Sequence, residues 1–297
     1  MDGDYYGLPT KIITNKALTL EFLSQAGPRI VRLFKSDSKE NLLKELPDSR
    51  LKTPHGDYFF RGGHRLWHSP ESMPRSYLPD NEGLKVEQTA LGVRLTAPVE
   101  VPAGIQKSIE IQLHPDQPVV TLTHRLQNQG IWPVELAPWA ITQVPQGGMA
   151  ILPQSTARVD QTGLLPNRSL TLWPYTSWED PRLQLHDDFI LIQAGKKTPA
   201  VKVGYANNAG WIGYLRQGVF FCKKSAYQAG ATYPDFGAST ECYCDDQFLE
   251  LETLGPLVRL EPGQTTEHVE TWELYDAPDI PVTYKDIAEF VRRQGLA

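Results

Sequence analysis

Residues 18–22 read Leu-Thr-Leu-Glu-Phe. Leu18, Leu20 and Phe22 alternate with Thr19 and Glu21, so an extended chain sends its apolar side chains to one face and its polar ones to the other. Ile30, Val31 and Leu33 follow the turn pair Gly27-Pro28. Together the two runs predict a hairpin. The same reading applies to 84–88, 92–97, 106–113, 118–127, 133–143, 149–153, 188–194, 199–205, 209–215, 218–223, 240–244, 247–253, 256–260 and 267–274. Turn residues punctuate them, among them Asn81-Glu82-Gly83, Pro115-Asp116, Asn128-Gln129-Gly130, Gly147-Gly148, Asn207-Asn208 and Pro262-Gly263. So many short strands, with turns roughly every 8–12 residues, predict an all-β fold built as one large antiparallel sandwich. We expect one domain over residues 1–297. A short helix is expected at its end: Thr283 caps it with Asp286 three residues on, Ile287, Phe290 and Val291 keep helical spacing, and Gly295 stops it. Residues 38–46 fit either a second helix or a buried strand end.

Composition agrees. Of 297 residues, 40% are hydrophobic and 22% charged, enough for a core and too little charge for disorder. The 23 glycines and 24 prolines suit a chain with many turns. The formal charge is -6 and basic residues form no run, which argues against a nucleic-acid partner. No apolar stretch is long enough for a membrane span. The start, MDGDYYGLPTK, has neither a basic nor an apolar leader segment. Cys222, Cys242 and Cys244 cannot all pair, and Cys242-Tyr243-Cys244 is too tight for an ordinary disulfide. Reduced thiols and a cytoplasmic location are therefore expected.

Three segments concentrate chemistry. Residues 61–71 read Arg-Gly-Gly-His-Arg-Leu-Trp-His-Ser-Pro-Glu, a poor core composition. Gly62 and Gly63 permit special backbone geometry or close approach to a ligand. His64 and His68 can exchange protons near neutral pH. Arg65 offers a planar fork of donors, and Trp67 can stack on an apolar sugar face. In residues 248–252, Phe-Leu-Glu-Leu-Glu, a strand projects Glu250 and Glu252 from one face roughly 7 Å apart, a spacing used for acid/base work at sugars. In residues 233–241, Tyr233, Asp235 and Glu241 flank a rigid Pro-Gly turn and can either bind hydroxyls or hold the turn. The irregular stretch 153–185 carries Trp173, Tyr175 and Trp178 among four prolines, with Asp180 and Arg182 as further polar contacts. It reads equally as a binding loop or as one pinned by its own aromatics. His64 and His68 are four apart but flanked by Gly62-Gly63 and Pro70, so no helical zinc pair, and no metal, is expected. There is no P-loop, Rossmann fingerprint or nucleophile elbow.

Gly27-Pro28-Arg29-Ile30 followed by Asn41-Leu42-Leu43, the stretch 124–130 (His-Arg-Leu-Gln-Asn-Gln-Gly) and Leu251-Glu252-Thr253 resemble motifs of the galactose mutarotase-like superfamily. Within it the chain is similar to an uncharacterised bacterial family. The shared elements are Gly-Gly-His-Arg-Leu-Trp, Tyr-Pro-Asp-x-Gly, Leu-Glu-x-Glu-x-Leu-Gly-Pro, and Leu-x-Pro-Gly followed by Glu-x-Trp. The resemblance implies a β-supersandwich with a sugar cleft on one concave sheet, a small-molecule carbohydrate as partner, and no cofactor. It implies aldose 1-epimerase-like acid/base chemistry. Glu252 would be the base with Glu250 its competitor, His64 or His68 the acid, and Arg65 an orienting group. The superfamily's second histidine is replaced here by Trp139, which stacks but donates no catalytic proton. Two alternatives therefore stand beside an epimerase. A carbohydrate-binding protein would line its cleft with Trp67 and Trp139 and engage its glutamates in salt bridges. A sugar lyase would use Arg65 or Lys202 against a substrate carboxylate beside a Tyr or His base, Tyr233 being the available Tyr.

Overall fold

Alternation governs the architecture. The structure, a computed structural model, describes residues 1–277 and 283–296. Its larger sheet has eleven antiparallel strands. Its central run is Leu18–Leu23, Arg29–Lys35, His64–Ser69, Val134–Pro145, Phe248–Leu254, Thr240–Cys244 and Val201–Tyr205. A second sheet has ten antiparallel strands, with Val219–Lys224, Thr265–Asp276, Val119–Asn128 and Ile105–Leu113 side by side in its middle. Leu18, Leu20, Phe22, Leu66, Leu249 and Leu251 meet Ile109, Leu122, Leu126, Phe221 and Trp272 between the sheets as one core. All three cysteines are free and buried. No described helix is long and apolar enough to cross a membrane.

The expected strands are found with ends shifted by up to three residues, as 118–127 becomes Val119–Asn128 and 92–97 becomes Val93–Glu100. The final helix, Tyr284–Arg293, is capped by Thr283 and buries Ile287, Phe290 and Val291. That face packs on Met149, Ile151, Leu191 and Phe220, on the outer side of the ten-stranded sheet. Residues 38–46 form no helix. Leu42 N–H instead donates to Leu33 O at 2.9 Å, and the Asn41 side chain accepts from Leu33 and Leu43, so Leu42 and Leu43 enter the core beside the strand Arg29–Lys35.

The segment expected to be a poor core is a central strand, His64–Ser69, buried along its whole length. Gly62 and Gly63 deliver it. Both have positive φ, 76° and 68°. A Cβ would lie 2.0 Å from Lys44 O at Gly62 and 1.9 Å from Ile30 O at Gly63. The glycines thus let the backbone crowd its neighbours within the fold rather than a ligand. Before them, the hairpin Glu45–Thr53 and Gly56–Gly62 stands apart as a two-stranded sheet.

Candidate functional site

The strand period sorts the side chains of the large sheet. In His64–Ser69, Leu66 points into the core while Arg65 and Trp67 take the opposite face. In Phe248–Leu254, Leu249 and Leu251 are core and Glu250 and Glu252 oppose them. Register then sets neighbours: Trp67 faces Trp139, Gln143 faces Glu250, and Glu241 faces Glu252. On this outer face lies a cavity of about 500 Å³. Arg65, Glu250 and Lys202 line its polar part, and Trp67, Trp139 and Trp173 its aromatic part. Phe60 of the separate hairpin, Tyr77, and Tyr175 from the irregular loop close its sides, with Tyr243 and Phe248 at the far wall.

Two charged knots hold these groups. Arg65 Nη2 donates to Glu250 Oε1 at 2.9 Å, and Gln143 Nε2 donates to the same oxygen at 2.9 Å. The guanidinium also lies 4.4 Å from the Trp67 ring centre, a cation–π contact. Arg65 Nε and Nη1 are buried with no hydrogen-bond partner. Lys202 Nζ sits 2.7 Å from Glu241 Oε2 and 3.0 Å from Glu252 Oε2, between the Trp139 and Trp173 rings at 4.8 and 4.5 Å. Trp139 Nε1 donates to Glu252 Oε2 at 2.7 Å. Burial raises both Glu241 and Glu252 above the ordinary carboxylate range against the pull of Lys202, with carboxylate repulsion adding to it. Glu252 is fully buried behind the lining, whereas Glu250 is on it.

Other expected site residues lie elsewhere. His64 and His68 share the inner face of their strand. His64 bonds Thr142 Oγ1 at 2.9 Å and His124 Nε2 at 2.7 Å, and His68 meets Glu100 Oε2 at 3.3 Å. Burial, then the neighbouring cationic groups, lowers His64 well below its usual range, and burial lowers His68 despite Glu100. None of the seven histidines lines the cavity. Arg182 grips Asp180 at 2.8 Å and donates to the Lys197 and Pro199 carbonyls, so the pair pins the aromatic loop. Tyr233 accepts from Gln228 N and stacks on Tyr227, and Asp235 occupies a left-handed turn with φ 50°. Both hold the turn outside the cavity lining. Tyr233, the tyrosine expected as a lyase base, is not among the lining residues.

His64, His124 and Glu270 could offer three ligand atoms to a metal ion. Yet Lys223 Nζ already lies 2.9 Å from Glu270 Oε1, and Trp272 Nε1 donates to Oε2 at 3.0 Å. An ammonium supplies the positive charge this carboxylate needs. The histidines complete their bonds with each other and with Thr142 and the His268 carbonyl.

No family model matches the chain, and no curated protein does. Solved structures do match. A galactose mutarotase-like protein from Lactobacillus casei aligns over 90% of this chain and 100% of its own, with TM-score 0.55 and 10% identity. The fold is galactose mutarotase-like. A galactose mutarotase related enzyme from Lactobacillus acidophilus aligns over 91% of this chain and 98% of its own, at TM-score 0.51 and 10% identity. A TPR-domain containing protein from Parabacteroides distasonis gives TM-score 0.64 and 15% identity over 93% of this chain. The chain spans only 49% of that larger one.

Proposed function

We propose that the outer cavity of the eleven-stranded sheet binds a carbohydrate ring without transforming it. The observation that carries this reading is the cavity of about 500 Å³ walled by Trp67, Trp139, Trp173 and tyrosine, with the Arg65–Glu250 pair among its lining residues. Aromatic faces suit the C–H side of a sugar and fixed donors suit its hydroxyls. Trp67 and Trp139 line the cavity and Glu250 and Glu252 are in salt bridges, as a binding protein requires.

The test is titration of intrinsic tryptophan fluorescence with free aldoses, for the native chain and Arg65→Lys. Lysine keeps a charge for Glu250 but not the planar fork. Affinity is expected to fall about tenfold, roughly 1.4 kcal/mol. Unchanged affinity would remove Arg65 from the site and the reading with it.

A second reading, interconversion of anomers, is favoured by Glu250 alone, a carboxylate on the cavity surface where a base would act. It also needs an acid across the ring, and the lining offers no imidazole. Mutarotation followed by polarimetry separates the two. A binding protein leaves the rate in buffer unchanged. Acceleration that vanishes in Glu250→Gln would establish the epimerase instead.

A further inference from the structure

We propose that the sugar taken by this cavity is an amino sugar, a pyranose with an ammonium group in place of one hydroxyl. The inference rests on the carbohydrate reading above and names the ligand class within it. It begins with a charge account of the lining. Five charged residues of opposite signs line the space: Arg65, Lys202, Glu71, Asp245 and Glu250. Both cations are already answered, Arg65 by Glu250 at 2.9 Å and Lys202 by Glu241 and Glu252 at 2.7 and 3.0 Å. Glu71 and Asp245 have no cation within salt-bridge distance among the described residues. Neutral groups satisfy part of them instead. Tyr77 Oη donates to Glu71, and Asp245 Oδ1 accepts from the backbone N–H groups of Gln247 and Phe248 at 2.7 and 3.0 Å.

The cavity therefore carries surplus negative charge. Asp245 is half-buried, where screening by water is reduced. Aromatic rings add to the same sign of field. A ring face is negative, and Trp139 and Trp173 already hold the Lys202 ammonium between them at 4.8 and 4.5 Å. Tyr175, Tyr243 and Phe248 extend these faces toward Asp245. An anionic sugar would meet carboxylates with both cations spoken for. A neutral sugar would use the aromatic walls and leave the surplus charge unanswered. An amino sugar uses both features: its ring lies on the aromatic faces, and its ammonium approaches Asp245.

The test is calorimetric titration of the full chain with glucosamine, glucose, N-acetylglucosamine and glucose 6-phosphate, at mildly acidic pH so that the amine is charged. Glucosamine is expected to bind about tenfold more tightly than glucose, with N-acetylglucosamine losing that advantage and glucose 6-phosphate weakest. Added salt should narrow the gap. Asp245→Asn should lower glucosamine affinity more than glucose affinity. Equal binding of glucose and glucosamine, or tighter binding of the phosphate, overturns the amino-sugar assignment and leaves carbohydrate binding intact. No binding of any of the four overturns both.

Discussion

Lys223→Met is expected to destabilise the protein by about 3–5 kcal/mol in urea denaturation, the cost of stripping one partner from a buried ion pair. Lys223 is fully enclosed between the sheets. Its ammonium lies 2.9 Å from Glu270 and donates to Ala140 O at 2.8 Å, Leu251 O at 3.0 Å and Thr142 Oγ1 at 3.0 Å. Lys223 belongs to the ten-stranded sheet and these three acceptors to the eleven-stranded one, so the side chain ties the two layers together. Burial works against the Glu270 carboxylate, but Lys223 beside it holds it below the ordinary range. Methionine keeps the length and loses every bond. Glu270 would then be left charged in a dry site or forced to take a proton. Adding Glu270→Gln should recover a part, because contacting groups are not additive. A single-variant loss under about 1 kcal/mol would mean that Lys223 is not the counter-charge.

The sheet pattern was open to reading because burial on one face writes itself as a period of two. Leu18 to Phe22 and Leu249 to Leu251 obey it, and Glu250 and Glu252 do share the face opposite the core. The same period, applied to residues 64–68, separates what composition grouped. His64 and His68 fall on the inner face, and Arg65 and Trp67 on the outer. Arg65 and Trp67 could be found because they sit on a strand beside Trp139, which the missing superfamily histidine had marked. Tyr243 could have been found by the parity of Cys242 and Cys244, whose side chains enter the core. Phe60 and Tyr77 could not. They reach the cavity through a separate hairpin and a single turn, and no local period reports where such pieces dock. Trp173 and Tyr175 settle the aromatic loop as a cavity wall, while Trp178, 70% exposed, takes no part. Asp180 and Arg182 pin that loop, a role that sequence cannot distinguish from ligand contact.

Stability is expected to fall steeply as pH drops from about 7 to about 5, by about 3 kcal/mol or more. The cause is the polar chain inside the core. The His268 carbonyl can only accept, so His124 Nδ1 at 3.0 Å must donate to it. Neutral His124 then accepts at Nε2 from His64 Nε2, 2.7 Å away. His64 Nδ1 in turn accepts from Thr142 Oγ1, which accepts a hydrogen bond from Lys223 Nζ. Every direction is fixed only while both imidazoles are neutral. Burial lowers His64 and His124, lowers His68, and brings His268 down to about 3. In the unfolded chain each titrates near 6.5. Below that value the unfolded state binds protons that the folded state refuses, so the stability present above it is lost as pH falls toward the folded values. Each histidine contributes about 1.4 kcal/mol per pH unit within its window. Glu241 and Glu252, raised by burial, act in the opposite sense above about 4.5, because the folded state binds their proton more readily. They are two groups set against four histidines, so the histidines prevail. Urea midpoints across this range measure the slope, and His268→Gln should flatten it by one histidine's share. A flat profile between about pH 5 and about pH 7 would show that these imidazoles accept protons within the fold.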